Sequence, residues 1–101
     1  MLRSNLAHGI FMPDNSMEPE YHAGDTLLVD PTRPIQPGRS HVFRKDNGNY
    51  KVRRLVAIKD GCYHVRAHNT DNDDTGGNDR LQIDQWPEVN LIVGSYLYYE
   101  T

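Results

Sequence analysis

Cysteine is nearly absent from this sequence: one residue, Cys62, stands in a chain of 101. A lone cysteine makes no intrachain disulfide and no Cys-x-x-Cys metal site, and it fits a reducing, cytoplasmic setting. In its DGCYHV context Cys62 reads as a small strand residue rather than a reactive thiol. Long apolar runs are missing too. Nothing approaches the roughly 18–20 residues of a membrane span, and the apolar part of MLRSNLAHGIFM is broken by His8 and Gly9, too short for a secretory leader. There is no basic excess: 11 Lys and Arg stand against 14 Asp and Glu, for a net charge of −3 and a pI of about 5.9. A domain that grips DNA unaided usually shows a basic face or a high pI, so nucleic acid is not an expected partner of this chain by itself. Basic residues do gather between Arg39 and Lys59, a cluster that strands with outward Lys and Arg explain. The expectation is a soluble, cytoplasmic protein with no membrane partner.

What is present suffices for one folded domain. Six tyrosines, one tryptophan and dispersed Val, Ile and Leu within a 37% hydrophobic composition supply a modest core. Turn signals divide the chain into short pieces. Residues 1–12 read as an N-terminal arm or short strand with Ile10, Phe11 and Met12 as its apolar patch, and residues 13–101 as the domain proper. Ser16 to Tyr21 suits a short helical turn, with Ser16 at the N-cap and Pro19 in the first turn, ended by Gly24. TLLVD (26–30) is an apolar strand, and PTRPIQPG after it is a rigid loop. HVFRK and NYKVRRLVAI are strands joined at DNG, where Asn-Gly tolerates the positive φ of a tight turn. Asp60-Gly61 turns the chain into CYHVRAH. A polar loop, HNTDNDDTGGND, leads to LQIDQ and then to NLIVGSYLYYE, where Gly94 marks a bulge. The sum is an all-β domain of five to seven short, strongly bent strands.

Ser16 raises the question of chemistry. A nucleophilic serine needs a base within hydrogen-bond reach, and the bland alternative is a helix cap. Five histidines are available, His8, His22, His41, His64 and His68, but no GxSxG elbow exists. His64 and His68 lack further ligands for zinc. The acidic loop from Asp71 has Gln82 where an EF-hand needs its twelfth-position carboxylate. No metal, cofactor or small-molecule ligand is expected.

The ordered series SMEP, GDTLLVD, PIQPG, KVRRL, AHN and LIVGSYL resembles the C-terminal domain of LexA and lambda-type phage repressors and of UmuD, the S24 self-cleaving peptidase group, over about residues 12–98. The resemblance implies a compact, all-β fold related to the core of type I signal peptidases. It implies Ser16 as the nucleophile and a neutral lysine, in a strand motif V-K-R-L, as its base. It also implies dimerisation, self-cleavage prompted by activated RecA filaments in the SOS response, and operator DNA bound through a separate N-terminal domain. Burial without a counter-ion can make a lysine neutral near pH 7, so the implied chemistry is physically sound.

Two departures stand out. Against V-K-R-L this chain has Val52-Arg53-Arg54-Leu55, so Arg53 holds the lysine position. A guanidinium is not deprotonated in proteins. Lys51 lies two residues earlier and on the same strand face, and is the alternative base. No Ala-Gly or Cys-Gly pair precedes Ser16, since Ala23-Gly24 follows it. The expected reading is a repressor dimerisation domain with weak or lost self-cleavage; the alternative is an active peptidase using Ser16 and Lys51. The final segment, with Leu91, Val93, Ser95, Leu97 and Tyr99 on one face, is either the dimer interface or a central core strand.

Overall fold

A computed structural model of the chain describes residues 8–70 and 76–96. Seven strands form one sheet: β1 (His8–Phe11), β2 (Thr26–Asp30), β3 (Ser40–Arg44), β4 (Tyr50–Lys59), β5 (Cys62–Arg66), β6 (Asn78–Gln82) and β7 (Glu88–Tyr96). Their spatial order is β1-β2-β7-β3-β4-β5-β6, and every pairing is antiparallel. The all-β expectation holds. The segment expected as an arm supplies β1, and Ile10 and Met12 from it enter the core.

Alternation along a strand sends neighbouring side chains to opposite faces, and β3 uses both. Val42 joins Ile10, Met12, Met17, Tyr21, Leu27, Val29, Val52 and Ile92 in one apolar cluster. Phe43 joins Leu55, Tyr63, Val65, Leu81 and Trp86 in a second. Each fully buried apolar side chain contributes about 1.5–3 kcal/mol, so two cores compensate for modest size. A one-turn 3-10 helix, Ile83–Gln85, drops Trp86 and Ile83 onto the second core.

Turn chemistry sets the hairpins. Asp60 and Gly61 both take positive φ (56° and 72°) and close the β4–β5 hairpin in a two-residue loop. At DNG only Gly48 does so. Its N–H donates to the Lys45 carbonyl at 3.0 Å while Lys45 N–H reaches Asn49 O at 2.9 Å. The loop is therefore longer than a two-residue Asn-Gly turn. β7 carries a register shift between its pairings with Leu28 and Val29, which leaves Val93 as the extra residue beside Gly94.

Two expectations change. Ser16–Tyr21 is a non-helical turn: Tyr21 N–H reaches Met17 O at 3.1 Å, but Pro19 has no N–H to continue the ladder. β6 begins inside the stretch read as polar loop, because pairing with β5 (Arg66 opposite Asn78) overrides its composition. β7 lies between β2 and β3 with Leu91 and Ile92 buried, so its described part is an interior strand. Leu97 to Tyr99 and Asp71 to Asp74 lie outside the described residues.

Phe43 is fully buried and Phe11 is 59% exposed. In urea unfolding, Phe43→Ala should lose about 3–5 kcal/mol, whereas Phe11→Ala should stay within about 0.5 kcal/mol of the parent.

Candidate functional site

Ser16 is presented by a loop pinned at its base. Met12 and Met17 are wholly buried, so the four residues between them must bulge outward. Met12 N–H donates to Asp25 O at 2.8 Å and Gly24 N–H to Met12 O at 3.0 Å, which closes the loop behind the serine. A second loop grips it from the side. Asn69 donates its backbone N–H to Ser16 O at 2.9 Å and its side-chain amide to Asn15 O at 3.1 Å. His68, the residue before it, places Nε2 2.8 Å from Glu20 Oε1. Gly77 (φ 85°), just before β6, has no room for a side chain: a Cβ would sit 2.7 Å from Ala67 O.

Arg53, which the resemblance sets at the place of the family's lysine, reaches the serine. Arg53 Nη1 donates to Ser16 Oγ at 2.9 Å and to the Val52 carbonyl at 2.8 Å. Ser16 Oγ in turn donates to Asp14 Oδ1 at 2.6 Å, and Ser16 N–H donates to the same oxygen at 3.1 Å. The hydroxyl proton is thus directed at a carboxylate and its lone pair is capped by a permanent cation. In serine peptidases the nucleophile's own N–H serves the oxyanion; here a carboxylate occupies it.

The Asp14 contact is ordinary turn chemistry. Asp30 accepts from Thr32 N–H at 2.9 Å and Thr32 Oγ1 at 2.6 Å in the same pattern, away from Ser16. Those two bonds hold the Asp30 carboxyl below the usual carboxylate range. An Asp two residues before a Ser was the sequence signal for this turn.

Lys51 ends elsewhere. Its ammonium lies 3.3 Å from Asp79 Oδ2 and over the Trp86 ring at 5.6 Å, a face it shares with Lys45 at 5.0 Å. An amine that takes up a serine proton must be neutral and stripped of counter-ions; Lys51 has a carboxylate beside it.

His22, His41, His64 and His68 make no hydrogen bond to Ser16. His22 pairs with Glu18 at 3.4 Å, His68 with Glu20, and His64 is half-buried on β5 with Nε2 unpartnered. His41 is fully buried. Its Nε2 accepts from Gln36 N–H at 3.1 Å and its Nδ1 faces Arg39 O at 2.9 Å, the pattern of a neutral ring with the proton on Nδ1. Beside the serine loop, Glu20 Oε1 also accepts from Ser40 Oγ at 2.8 Å. Burial, and then the Glu20 charge, push the Tyr21 phenol up to about 12. Glu20 was not among the residues singled out in the sequence, because its partners, His68 and Ser40, are distant along the chain.

Seven bent antiparallel strands presenting a serine at a pinned loop, faced by a basic side chain from the next hairpin, describe a serine-peptidase-type scaffold. The model of the family Peptidase S24-like matches residues 3–85, more than four-fifths of the sequence, and the chain belongs to that family. No curated protein and no solved structure matches it.

His41 generates a pH prediction. Burial, partly offset by the hydrogen bond to the Arg39 carbonyl and reinforced by the Arg39 charge, leaves its pKa below the ordinary 6.5. The unfolded chain takes up that proton first as pH falls. The stabilisation is therefore complete above about 6.5 and is lost as pH drops from there through the lower folded value. Unfolding free energy measured in urea should decline from pH 7 to pH 5 more steeply in the parent than in His41→Gln.

Proposed function

We propose that this chain is the C-terminal, dimer-forming domain of a cytoplasmic transcriptional repressor of the LexA and lambda-phage type, in which self-cleavage has lapsed. The observation that carries the reading is the Arg53 guanidinium on Ser16 Oγ at 2.9 Å. In an S24-like peptidase the side chain at that place must accept a proton, and a guanidinium cannot. The Asp14 carboxylate on the Ser16 N–H works in the same direction: it fills an oxyanion donor and would repel the negative charge that develops there. With both functions blocked, the loop and strand that once made a reaction centre hold each other in place. Operator DNA would be met through a separate DNA-binding domain, and an activated RecA filament would have no cleavage to prompt.

An active Ser16–Lys51 peptidase is the competing reading. It would require Lys51 to leave Asp79 and Arg53 to vacate the serine.

The test follows the intact protein by mass spectrometry at pH 7 to 10, beside Ser16→Ala and Lys51→Ala. The expected result is no product in any of the three. Cleavage that disappears in Ser16→Ala would overturn the lapsed reading, and its loss in Lys51→Ala as well would establish the competing one. For the dimer, sedimentation velocity between about 10 and 100 µM should show a concentration-dependent second species. A strict monomer across that range would remove the dimerisation role.

A further inference from the structure

The wing of the sheet formed by β4, β5 and β6 is buried on one face only. Tyr63, Val65 and Leu81 turn into the second core. The intervening positions face out, and three of them are exposed arginines: Arg54, Arg66 and Arg80. Strand register fixes their arrangement. Arg54 stands directly opposite Arg66, and His64 directly opposite Arg80. Arg66 is opposite Asn78, so Arg80 is its diagonal neighbour. Directly opposed residues have Cβ atoms about 4.5–5.5 Å apart and diagonal ones about 7–8 Å apart. Like charges directly opposed are destabilising. Among the described residues no carboxylate pairs with any of the three; the ion pairs involve His22, Lys51 and His68.

A cleft of about 490 Å³ opens on this wing, lined by Val56, His64, Val65, Asn78, Asp79 and Arg80. His64 Nε2 is shielded from solvent and has no hydrogen-bond partner. The one carboxylate at the cleft, Asp79, is already engaged by Lys51 Nζ on Oδ2 and by Arg80 N–H on Oδ1. The face thus offers guanidinium forks, which match phosphate and carboxylate geometry, and among the described residues lining the cleft no free carboxylate.

We propose that this face binds the phosphate backbone of nucleic acid without sequence preference, through Arg54, Arg66 and Arg80. The charges run as a row across three strands instead of ringing one point, which suits an anion repeated along a polymer. The exposed apolar group at the cleft is Val56, so an acidic amphipathic peptide has little to grip. The whole chain carries −3, so a polyanion is repelled elsewhere and drawn to this wing, which orients the domain as it lands. The inference stands independently of whether Ser16 reacts.

Fluorescence anisotropy with a labelled random duplex of about 30 base pairs tests it. Neutralising about three phosphates gives a slope near −3 for log K against log salt. The expected result is weak binding at about 20 mM salt that fades by about 200 mM with that slope. Arg54→Ala, Arg66→Ala and Arg80→Ala should each reduce the slope by about one, and the triple alanine variant should lose at least tenfold in affinity at low salt. Replacing all three by lysine should keep most of the binding, which separates loss of charge from loss of fold. The proposal is overturned by absence of binding at about 20 mM salt, or by a triple alanine variant that binds like the parent. It is also overturned if poly-glutamate displaces the DNA at equal charge concentration, since the face would then be a site for acidic peptides.

Discussion

Everything in this small sheet is arranged around a strand that has no exposed face. β3 gives Val42 to one core and Phe43 to the other, and it is hydrogen-bonded on both sides, to β4 and to β7. A strand in that position can tolerate neither a register slip nor a polar substitution on either face, because a one-residue slip moves every side chain across the sheet. His41 shows how strict the constraint is: a buried ring in this strand is accepted because the backbone of Gln36 and Arg39, just before it, supplies both partners. The neighbouring strands inherit their register from β3. That is how Arg53, opposite His41, comes to a fixed height in β4 from which it reaches the serine loop.

At the site, hydrogen bonds from Arg53 and to Asp14 hold the serine hydroxyl in place. A buried neutral lysine is held by an unfavourable environment, since desolvation of a would-be cation costs several kcal/mol in effective terms. A guanidinium that donates to a carbonyl and a hydroxyl sits in a favourable one. Arg53 is held by these bonds with its charge intact, as a guanidinium always is in proteins. The Asx turn at Asp14 adds to this, satisfying a backbone N–H that a working oxyanion hole must leave unsatisfied until substrate arrives.

Much of this was legible in the sequence, for reasons that differ by element. TLLVD and KVRRL were plain as strands because they are long enough and apolar enough to show their pattern. The Asp60-Gly61 turn was plain because its residues tolerate positive φ. β6 was not, since NDRLQ has the composition of a loop and becomes a strand only through its pairing to β5. The turn at Ser16 was read as helical because its capping residues are also those of an Asx turn. At the site, the exchange at Arg53 was visible by alignment of short motifs. The engagement of Lys51 by Asp79 was not, because those residues are joined across two strands, and neither were the bonds that converge on Glu20.

Glu20 itself has a wider meaning. One carboxylate oxygen receives His68 from the loop after β5 and Ser40 from the start of the central strand, and the adjoining Tyr21 lies in the first core. Three parts of the chain that are remote in sequence share a single acceptor. The serine loop, the His68–Asn69 loop and the head of β3 are thus cross-linked at one point on the surface. A surface loop of this length would ordinarily be among the first parts of a domain to move. Here it is tied to the last.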